Sequence, residues 1–503
     1  MRIVLAILLF ITCEIKAQAI LEESNLKAVI NPIGKLFGPI GVEFPKNESK
    51  YCFGESVLWL SGVNKNDTFI SANQLGNSVS DFQAGPISNN GQSGSMEAKW
   101  NTVYSISKSQ INTHRSNFGK EGYMLPESIE KWHANGEQGF TKLLAPFADW
   151  NNNEIYEPTQ GDYPYIYGDQ MAYTVFNDRG AHGLTGGSGM GVQVENLVSV
   201  YGAYGDQARN NLLINRVLVT NKSNKIYSNY KLSILNKFIL GDDQDNFVGT
   251  DAKNNFIYCY NSSNNDASYG QSIPALIVFP LSLEDTILSS IYTTNNQDAQ
   301  TGIPNSKKEY YNYALGLWRN GKSLAYGGSG LDGATPCKYV YSGTTDESIN
   351  GSDWNELDVG NNGGERTMLM NLDLDSLKIG ELKVVSIAYA VLDNYTGNVE
   401  DILSLVKKVR ENHLDGWYTS DLEMSKSLFI YPTITKVGSK VKIDVTMDSH
   451  SVVNLYDSKG IRVQEIRNLK NNCIILKDGL VSGLYFMEFR NFKGVYYTKL
   501  IIQ

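Results

Sequence analysis

Short apolar runs, several of them alternating with polar residues, recur along most of the chain. They stand out at residues 56–59, 173–176, 213–220, 227–235, 275–279 and 382–392. Alternation with a period of two predicts β-strands that bury one face. Glycine and asparagine, which tolerate the backbone angles of tight turns, are abundant in the sequence. The pattern therefore predicts a mainly β protein built of β-sandwich domains.

One segment repeats its apolar residues with the spacing of a helix instead. Within residues 399–412 the apolar positions share one helical face, formed by Val399, Ile402, Leu403, Val406 and Val409. Basic residues crowd the C-terminal end, where the helix dipole favours cations. A second, shorter helix is predicted at residues 126–133. We therefore expect one or two peripheral helices beside the sheets.

The N-terminus has the pattern of a secretory signal peptide at residues 1–19. Arg2 precedes an apolar run at residues 3–12, and small residues follow at Ala17 and Ala19. No later segment reaches the length of about 18 apolar residues that a membrane-spanning helix needs. The sequence thus predicts an exported protein without a transmembrane segment.

The last part of the chain changes to short alternating runs joined by tight turns. From Leu428 onward the pattern predicts about six or seven strands in about 75 residues, which indicates a small Ig-like β-sandwich. Before it, we expect a β-rich domain at residues 20–200 and a β-sandwich domain at residues 201–425, because 503 residues exceed what one core usually supports.

The C-terminal segment resembles the type A sorting domain of the type IX secretion system. The matching residues are Tyr431-Pro432, "NLYDSKGIRV" at 454–463, "GLVSGLYFMEF" at 479–489 and "YYTKLIIQ" at 496–503. Thr433-Ile434 stands where the family usually has Asn-Pro. The resemblance implies that residues 428–503 engage the secretion translocon and its sortase. It also implies a protein secreted to, or held on, the outer cell surface of a Gram-negative bacterium of the phylum Bacteroidota.

The middle of the chain resembles a long module of surface and secreted proteins from the same phylum. The resemblance is carried by residues 81–86, 144–170, 175–178, 245–251, 309–321 and 363–370. It implies secretion and a β-rich fold, and it implies no particular chemistry.

An Asx-rich segment at residues 149–162 is the candidate metal site. Oxygen-bearing side chains at alternate positions, followed by a backbone carbonyl, let a tight loop wrap one Ca²⁺. The candidate ligands are Asp149, Asn151, Asn153, the carbonyl of Ile155, Glu157 and Asp162. Glu154 and Gln160 depart from the EF-hand pattern. The alternative is a metal-free turn, since Asn and Asp side chains also cap their own backbones.

Other candidate chemistry is weaker. Asp242, Asp243 and Asp245 form an acidic cluster with Asn246 and Asp251, and a solvated loop accounts for it. His182, near Asp178 and a Gly-rich loop, is the best acid–base candidate, and a hydrogen-bonded structural histidine is the favoured alternative. The cysteines after the signal peptide could form disulfides, but their spacing specifies no pairing. Cys259 lies opposite Phe256, Tyr258 and Tyr260 in an alternating strand, which favours a buried free thiol.

These observations favour a non-enzymatic binding, adhesion or structural protein with a glycan or another surface component as its partner. The net charge of −9 argues against a nucleic-acid partner, because no basic stripe offers phosphate contacts. The alternative function is a secreted polysaccharide-acting hydrolase. Tryptophans that could form a sugar platform are Trp59, Trp132, Trp150, Trp318, Trp354 and Trp417.

Overall fold

The computed structural model describes most of the chain. The described residues are 18–88, 100–136, 144–150, 153–202, 205–414, 430–431, 434–443, 452–457, 462–467, 473–491 and 494–502. Residues 1–17 of the predicted signal peptide, the candidate ligand Asn151 and Trp417 lie outside this set.

The part before residue 300 is built mainly of strands. They are β1 (Ala19–Leu21), β2 (Lys27–Ile30), β3 (Lys35–Leu36), β4 (Val42–Glu43), β5 (Phe53–Asn64), β6 (Asp67–Ala72), β7 (Gln83–Ala84), β8 (Tyr104–Ser107), β9 (Phe147–Ala148), β10 (Tyr163–Pro164), β11 (Gln170–Asn177), β12 (Val192–Val200), β13 (Leu212–Asn221), β14 (Tyr227–Phe238), β15 (Asn246–Asp251), β16 (Phe256–Asn261), β17 (Ala275–Pro280) and β18 (Ile287–Thr293).

Three more strands and the helices complete this region. The strands are β19 (Arg366–Asp373), β20 (Ser376–Leu377) and β21 (Leu382–Leu392). The helices are α1 (Lys108–Asn117), α2 (Glu127–Glu130), α3 (Gln207–Asn210), α4 (Lys307–Ala314) and α5 (Val399–Leu414), with 3₁₀ turns at Pro158–Gln160 and Glu347–Ile349. The predicted helix at 399–412 is confirmed as α5. The helix predicted at 126–133 is shorter than expected, since α2 covers four residues.

Two large antiparallel sheets dominate the fold. The first has the order β1-β2-β3-β5-β14-β19-β18, with β4, β6 and β20 paired to β2, β5 and β14. The second has the order β15-β16-β17-β21-β13-β12-β11-β7, with β8 paired to β11. The small β9–β10 pair lies apart from both. The mainly β class that the sequence predicts is confirmed.

One hydrophobic core joins the two sheets and corrects the predicted domain division. It contains Leu21 and Trp59 from the first sheet together with Val194 and Val391 from the second. The second sheet also continues across residue 200, because β12 pairs with β13 along its whole length. Residues 20–200 and 201–425 therefore share one sandwich, since strands distant in sequence are neighbours in both sheets.

The second sheet is buried on its outer face as well. The inner positions of β12 are valines except for Asn196, and the valines belong to the core between the sheets. Leu197 points to the outer face and belongs to a second core. A core around Trp132 and Tyr173 covers one half of this outer face, and the apolar side of α5 covers the other. Helix α5 buries Ile402, Leu403, Val406 and Val409, four of the five apolar positions that the sequence placed on one helical face.

The C-terminal segment forms a small two-sheet structure of its own. Its strands are β22 (Ile430–Tyr431), β23 (Ile434–Thr435), β24 (Lys440–Ile443), β25 (Val452–Tyr456), β26 (Arg462–Arg467), β27 (Cys473–Ile475), β28 (Gly483–Asn491) and β29 (Gly494–Ile502). One sheet has the order β22-β24-β27 and the other β23-β29-β28-β25-β26. A core that includes Val441, Leu455 and Met487 fills the space between them. The predicted small β-sandwich is therefore present.

Within the described residues, no helix is both long and apolar enough to cross a membrane.

Candidate functional site

A large cleft opens beside the edge of the second sheet, and we take it as the candidate site. Its volume is about 1180 Å³, which exceeds the ~300–1,000 Å³ of pockets for single drug-sized molecules. Strands β15 and β16 form one side. The loops 342–345 and 353–358 form a second side, and residues 394–397 with the first turns of α5 form the third.

Aromatic rings line the side formed by β15 and β16. Tyr258 and Tyr260 are two residues apart on β16 and share a face, with ring centroids 5.7 Å apart and an angle of 27° between the planes. Phe247 on β15 pairs with Tyr260, and their rings are 5.7 Å apart. Tyr395, from the loop before α5, lies 6.3 Å from Tyr260. Phe247 and Tyr258 are 3% and 7% exposed, whereas Tyr260 and Tyr395 are partly exposed. Tyr260 and Tyr395 therefore present most of the aromatic surface to the cleft, and the two buried rings support them from behind.

Burial affects the tyrosine hydroxyls of this surface. Burial, with a smaller contribution from the Asp401 carboxylate, raises the pKa of Tyr395 to about 12. Burial, aided by the negative charge of Glu356, also raises the pKa of Tyr260. Both hydroxyls therefore stay protonated at neutral pH and can donate hydrogen bonds.

A glycine makes room for the Tyr258 ring. Gly249 on β15 is the cross-strand partner of Tyr258. A Cβ added at Gly249 would lie 2.5 Å from Tyr258 Oη and 2.7 Å from Cε1, well inside the ordinary contact distance of 3.4–4 Å. The ring can therefore lie across β15 only because residue 249 has no side chain.

Neutral polar groups make up much of the remaining lining. Side-chain amides come from several separate segments: Asn254, Asn261, Asn264, Gln271, Asn355 and Asn394. Hydroxyls come from Ser262, Ser263, Thr344, Thr345 and Thr396. Each amide offers both a donor and an acceptor, so the cleft presents hydrogen-bonding groups of both kinds.

Four carboxylates also line the cleft, and they differ in burial and in hydrogen bonding. Asp251 is buried, and both of its oxygens accept hydrogen bonds from Asn254, at 2.7 Å from the backbone N–H and 2.9 Å from the side chain. Asp353, Asp358 and Glu400 are exposed. The Nδ2 of Asn355 donates to Asp358 Oδ2 at 2.6 Å and to Asp353 Oδ1 at 3.3 Å, so these two oxygens lie no more than about 6 Å apart.

A buried ion pair fixes the 353–358 side of the cleft. Glu356 is 1% exposed, and its Oε1 accepts hydrogen bonds from the Val248 N–H at 2.7 Å and from Arg366 Nε at 2.9 Å. Its Oε2 accepts from Arg366 Nη2 at 2.7 Å. This paired, charge-assisted geometry links the loop to β15 and β19.

Arg410 holds the helical side in place. Its Nη1 donates to the Asn254 carbonyl at 2.7 Å, and its Nη2 donates to the carbonyls of Asn255 and Pro280 at 3.0 Å each. The residue thus joins α5 to the turn between β15 and β16. Burial lowers the pKa of Arg410 to about 10, which still leaves it charged at neutral pH.

The described residues of the predicted calcium loop are closely hydrogen-bonded to one another. Asp149 Oδ1 accepts the Asn153 N–H at 3.2 Å and its Oδ2 accepts the Glu154 N–H at 2.8 Å. Asp162 accepts the N–H groups of Trp150 and Glu157, each at 2.7 Å. Both carboxylates are almost fully buried. Burial is the largest cause of the raised pKa of Asp162, and the charges of Asp149 and Glu157 add to it.

The other candidate ligands that the structure describes lie beside these two carboxylates. Asn153 Oδ1 accepts the Ile155 N–H at 2.8 Å, and Asn153 Nδ2 donates to Glu157 at 2.5 Å. Glu154 has a φ of 59°, at the position where an EF-hand loop has glycine. Within the described residues, no group of three or more His, Cys, Asp or Glu side chains is placed to hold a metal. The carboxylates already bind backbone N–H groups, which is the geometry of the metal-free alternative, and calcium stays a prediction.

The two other candidates from the sequence occupy structural positions. Asp178 accepts hydrogen bonds from Ser71 Oγ and from the backbone N–H groups of residues 190–192, and it is fully buried. His182 Nε2 lies 3.0 Å from the Asp178 carbonyl, and His182 Nδ1 lies 3.7 Å from Asp81 Oδ2. These contacts hold the Gly-rich loop against the first sheet. In the acidic cluster, the Asp242 N–H donates to Asp266 at 2.8 Å.

The tryptophans that the sequence suggested as a sugar platform differ in exposure. Trp59, Trp132, Trp318 and Trp354 are buried in the cores, and Trp150 is 67% exposed on the 149–162 turn. None of them lines the cleft.

No protein-family model and no curated protein sequence is significantly similar to this chain. Among solved structures, a chain described as a polysaccharide lyase matches with a TM-score of 0.21 and 10% sequence identity. The match covers 68% of this chain and 40% of the lyase, so this chain spans less than half of the lyase's length. A TM-score this low carries no inference about fold or activity.

Sequence reasoning missed the cleft although one of its signals was visible. The alternation on β16 correctly placed Tyr258 and Tyr260 on one face and Cys259 on the other, and Cys259 is a buried free thiol in the central core. That the tyrosine face opens into a cleft depends on the loops 342–345, 353–358 and 394–397, which only the tertiary fold brings there.

Proposed function

We propose that this chain is an exported surface protein that binds a glycan in the cleft beside β15 and β16. The observation that carries the proposal is the combination of planar aromatic rings with many neutral amides and hydroxyls in one large cleft. A sugar ring has apolar C–H faces and a rim of hydroxyl groups. Aromatic rings pack against the C–H faces, and groups that both donate and accept hydrogen bonds pair with the sugar hydroxyls.

The carboxylates of the cleft support binding more than catalysis. A glycosidase needs one carboxyl group that stays protonated, which requires an apolar, desolvated environment. Asp353, Asp358 and Glu400 are exposed to solvent instead. Asp251 is buried, but Asn254 occupies both of its oxygens.

Hydrolysis of the bound glycan is the second candidate function. It rests on the closeness of Asp353 and Asp358, whose facing oxygens lie no more than about 6 Å apart, as a pair of catalytic carboxylates requires. A turnover assay on a polysaccharide panel separates the two functions. Product release that Asp353→Asn or Asp358→Asn abolishes would establish the enzyme, and we expect none.

Loss of one cleft ring tests glycan binding directly. Tyr260→Ala removes the ring at the centre of the aromatic surface, and we expect glycan affinity measured by calorimetry to fall by about 1–2 kcal/mol. Tyr311→Ala, which truncates a half-buried tyrosine on α4 outside the cleft, is the matched control and should bind like the unmodified protein. If both variants bind the glycan with equal affinity, the cleft is not the glycan site.

Export by the type IX route is part of the same proposal. It is supported by the signal-peptide pattern, the sorting-domain resemblance and the small sandwich fold of the C-terminal segment. Deletion of residues 428–503 should retain the protein in the periplasm, and the mature surface form should lack this segment by mass spectrometry. Normal amounts of the truncated protein outside the cell would contradict the route.

Calcium at the 149–162 turn is proposed as a stabilising cofactor, with the metal-free turn as its alternative. Ligand binding to the native state alone stabilises it, by about 2.7 kcal/mol at roughly 100 times Kd. A chelator should therefore lower the melting temperature of the unmodified protein and leave that of Asp149→Ala unchanged, whereas Asn152→Ala should still respond. An unmodified protein that does not respond to the chelator would establish the metal-free turn.

A further inference from the structure

Acidic side chains outnumber basic ones in the lining of the cleft. Its acidic residues are Asp251, Asp353, Asp358 and Glu400, and its basic residues are Lys253 and Lys407. The four carboxylates outnumber the two ammonium groups. An occupant of the cleft therefore meets a net negative surface.

The negative charge is concentrated on one side. Asp353 and Asp358 both accept a hydrogen bond from the same Asn355 amide nitrogen, so their carboxylates converge to within about 6 Å. Both side chains are exposed. No salt bridge to either carboxylate is found among the described residues, and the nearby Arg366 is committed to the buried Glu356.

We propose that the cleft selects uncharged glycans and repels acidic ones, with Asp353 and Asp358 as the specificity-determining residues. This inference rests on the proposed function. The aromatic rings and amides recognise features that neutral and acidic sugars share, so they do not discriminate between them. A carboxylate on the ligand at about 4 Å from one aspartate in water is disfavoured by about 1 kcal/mol, or about fivefold. Two converging aspartates disfavour it by roughly 10- to 30-fold.

Paired polymers that differ only in charge provide the test. Soluble β-glucan, mannan and galactan are each used as the neutral polymer and as its carboxymethylated derivative, with the full-length mature protein. The unmodified protein should bind at least one neutral polymer about 10-fold more tightly than its carboxymethylated form. Raising the salt from about 20 mM to about 500 mM should narrow this difference, because screening weakens the repulsion between exposed charges.

The double variant Asp353→Asn/Asp358→Asn isolates the specificity residues. We expect it to bind the carboxymethylated polymer about 10-fold more tightly than the unmodified protein does, with affinity for the neutral polymer changed less than about threefold. Asp332→Asn, an exposed aspartate outside the cleft lining, is the matched control for charge and should change neither affinity.

The outcomes separate this inference from the proposed function. Equal affinity of the unmodified protein for the neutral and carboxymethylated forms would overturn the charge selection and leave glycan binding in place. An unchanged preference in the double variant would overturn the role of the two aspartates. Binding to none of the polymers would overturn the proposed function itself.

Discussion

Gly249→Ala is a perturbation of the cleft that changes no polar group. The added methyl would lie 2.5 Å from Tyr258 Oη and 2.7 Å from Cε1, whereas ordinary contacts begin at 3.4 Å. The ring must therefore move by about 1 Å, or β15 must separate from β16. Tyr258 stacks on Tyr260, so its displacement disturbs the aromatic surface on which the proposed glycan packs.

Two quantities should change in this variant. Overpacking a well-filled site costs about 1–3 kcal/mol of stability, which for a chain of this size is a small decrease in melting temperature. Displacement of the Tyr258 ring shifts the partly exposed Tyr260 ring that stacks on it, which should weaken glycan binding by about 1–2 kcal/mol, or about 5- to 30-fold in Kd. Thermal melts followed by circular dichroism and titration calorimetry with a bound glycan measure the two effects separately.

A second glycine provides the control. Gly183 has no atom within 4 Å of its added Cβ, so Gly183→Ala should change neither stability nor binding by more than about 0.5 kcal/mol. If Gly249→Ala binds glycan as tightly as the unmodified protein while its crystal structure shows the Tyr258 ring displaced, the reasoning that Tyr258 positions the aromatic surface of the cleft is wrong.

Three further predictions concern buried ionisable side chains. Burial raises the pKa of Glu195, so the folded state keeps this proton longer than the unfolded state and stability falls as pH rises between the ordinary and raised pKa values. Glu195→Gln should remove this decline, at most about 1.4 kcal/mol per pH unit, and pH-dependent urea denaturation that is identical in both proteins would refute it. Burial also raises the pKa of the Cys259 thiol, so a thiol reagent at pH 8 should label it only after denaturation, and rapid labelling of the native protein would contradict its burial. Glu356→Ala leaves the Arg366 guanidinium without its partner and should cost about 3–5 kcal/mol in denaturant titrations, whereas a loss below 1 kcal/mol would show that the pair does not hold the loop.

The parts of the fold that local patterns encode could be predicted from the sequence. Helix α5 was predicted because its apolar residues recur on one face along several turns. Helix α1 was not predicted, because only two of its residues, Ile111 and His114, are buried. Its start also depends on a capping box at Ser107. Short helices with few buried residues carry too weak a period to be recognised.

The strand order and the cleft could not be predicted, because both depend on contacts between distant segments. β5 pairs with β14 and β13 with β21, across separations that no short pattern encodes. For the calcium loop, the local pattern was recognised but is compatible with two different structures. Its Asx-rich spacing was recognised, but the same spacing also forms a turn in which Asp149 and Asp162 accept backbone N–H groups.

The position of a bound glycan tests the central claim most directly. Crystals of the mature protein grown with an oligosaccharide of the tightest-binding neutral polymer would show where the sugar lies. We expect sugar rings against Tyr260 and Tyr395, with their hydroxyl groups hydrogen-bonded to the amides of the cleft. Sugar bound instead at the exposed Trp150, with the cleft holding only water, would contradict the assignment of the cleft as the glycan site.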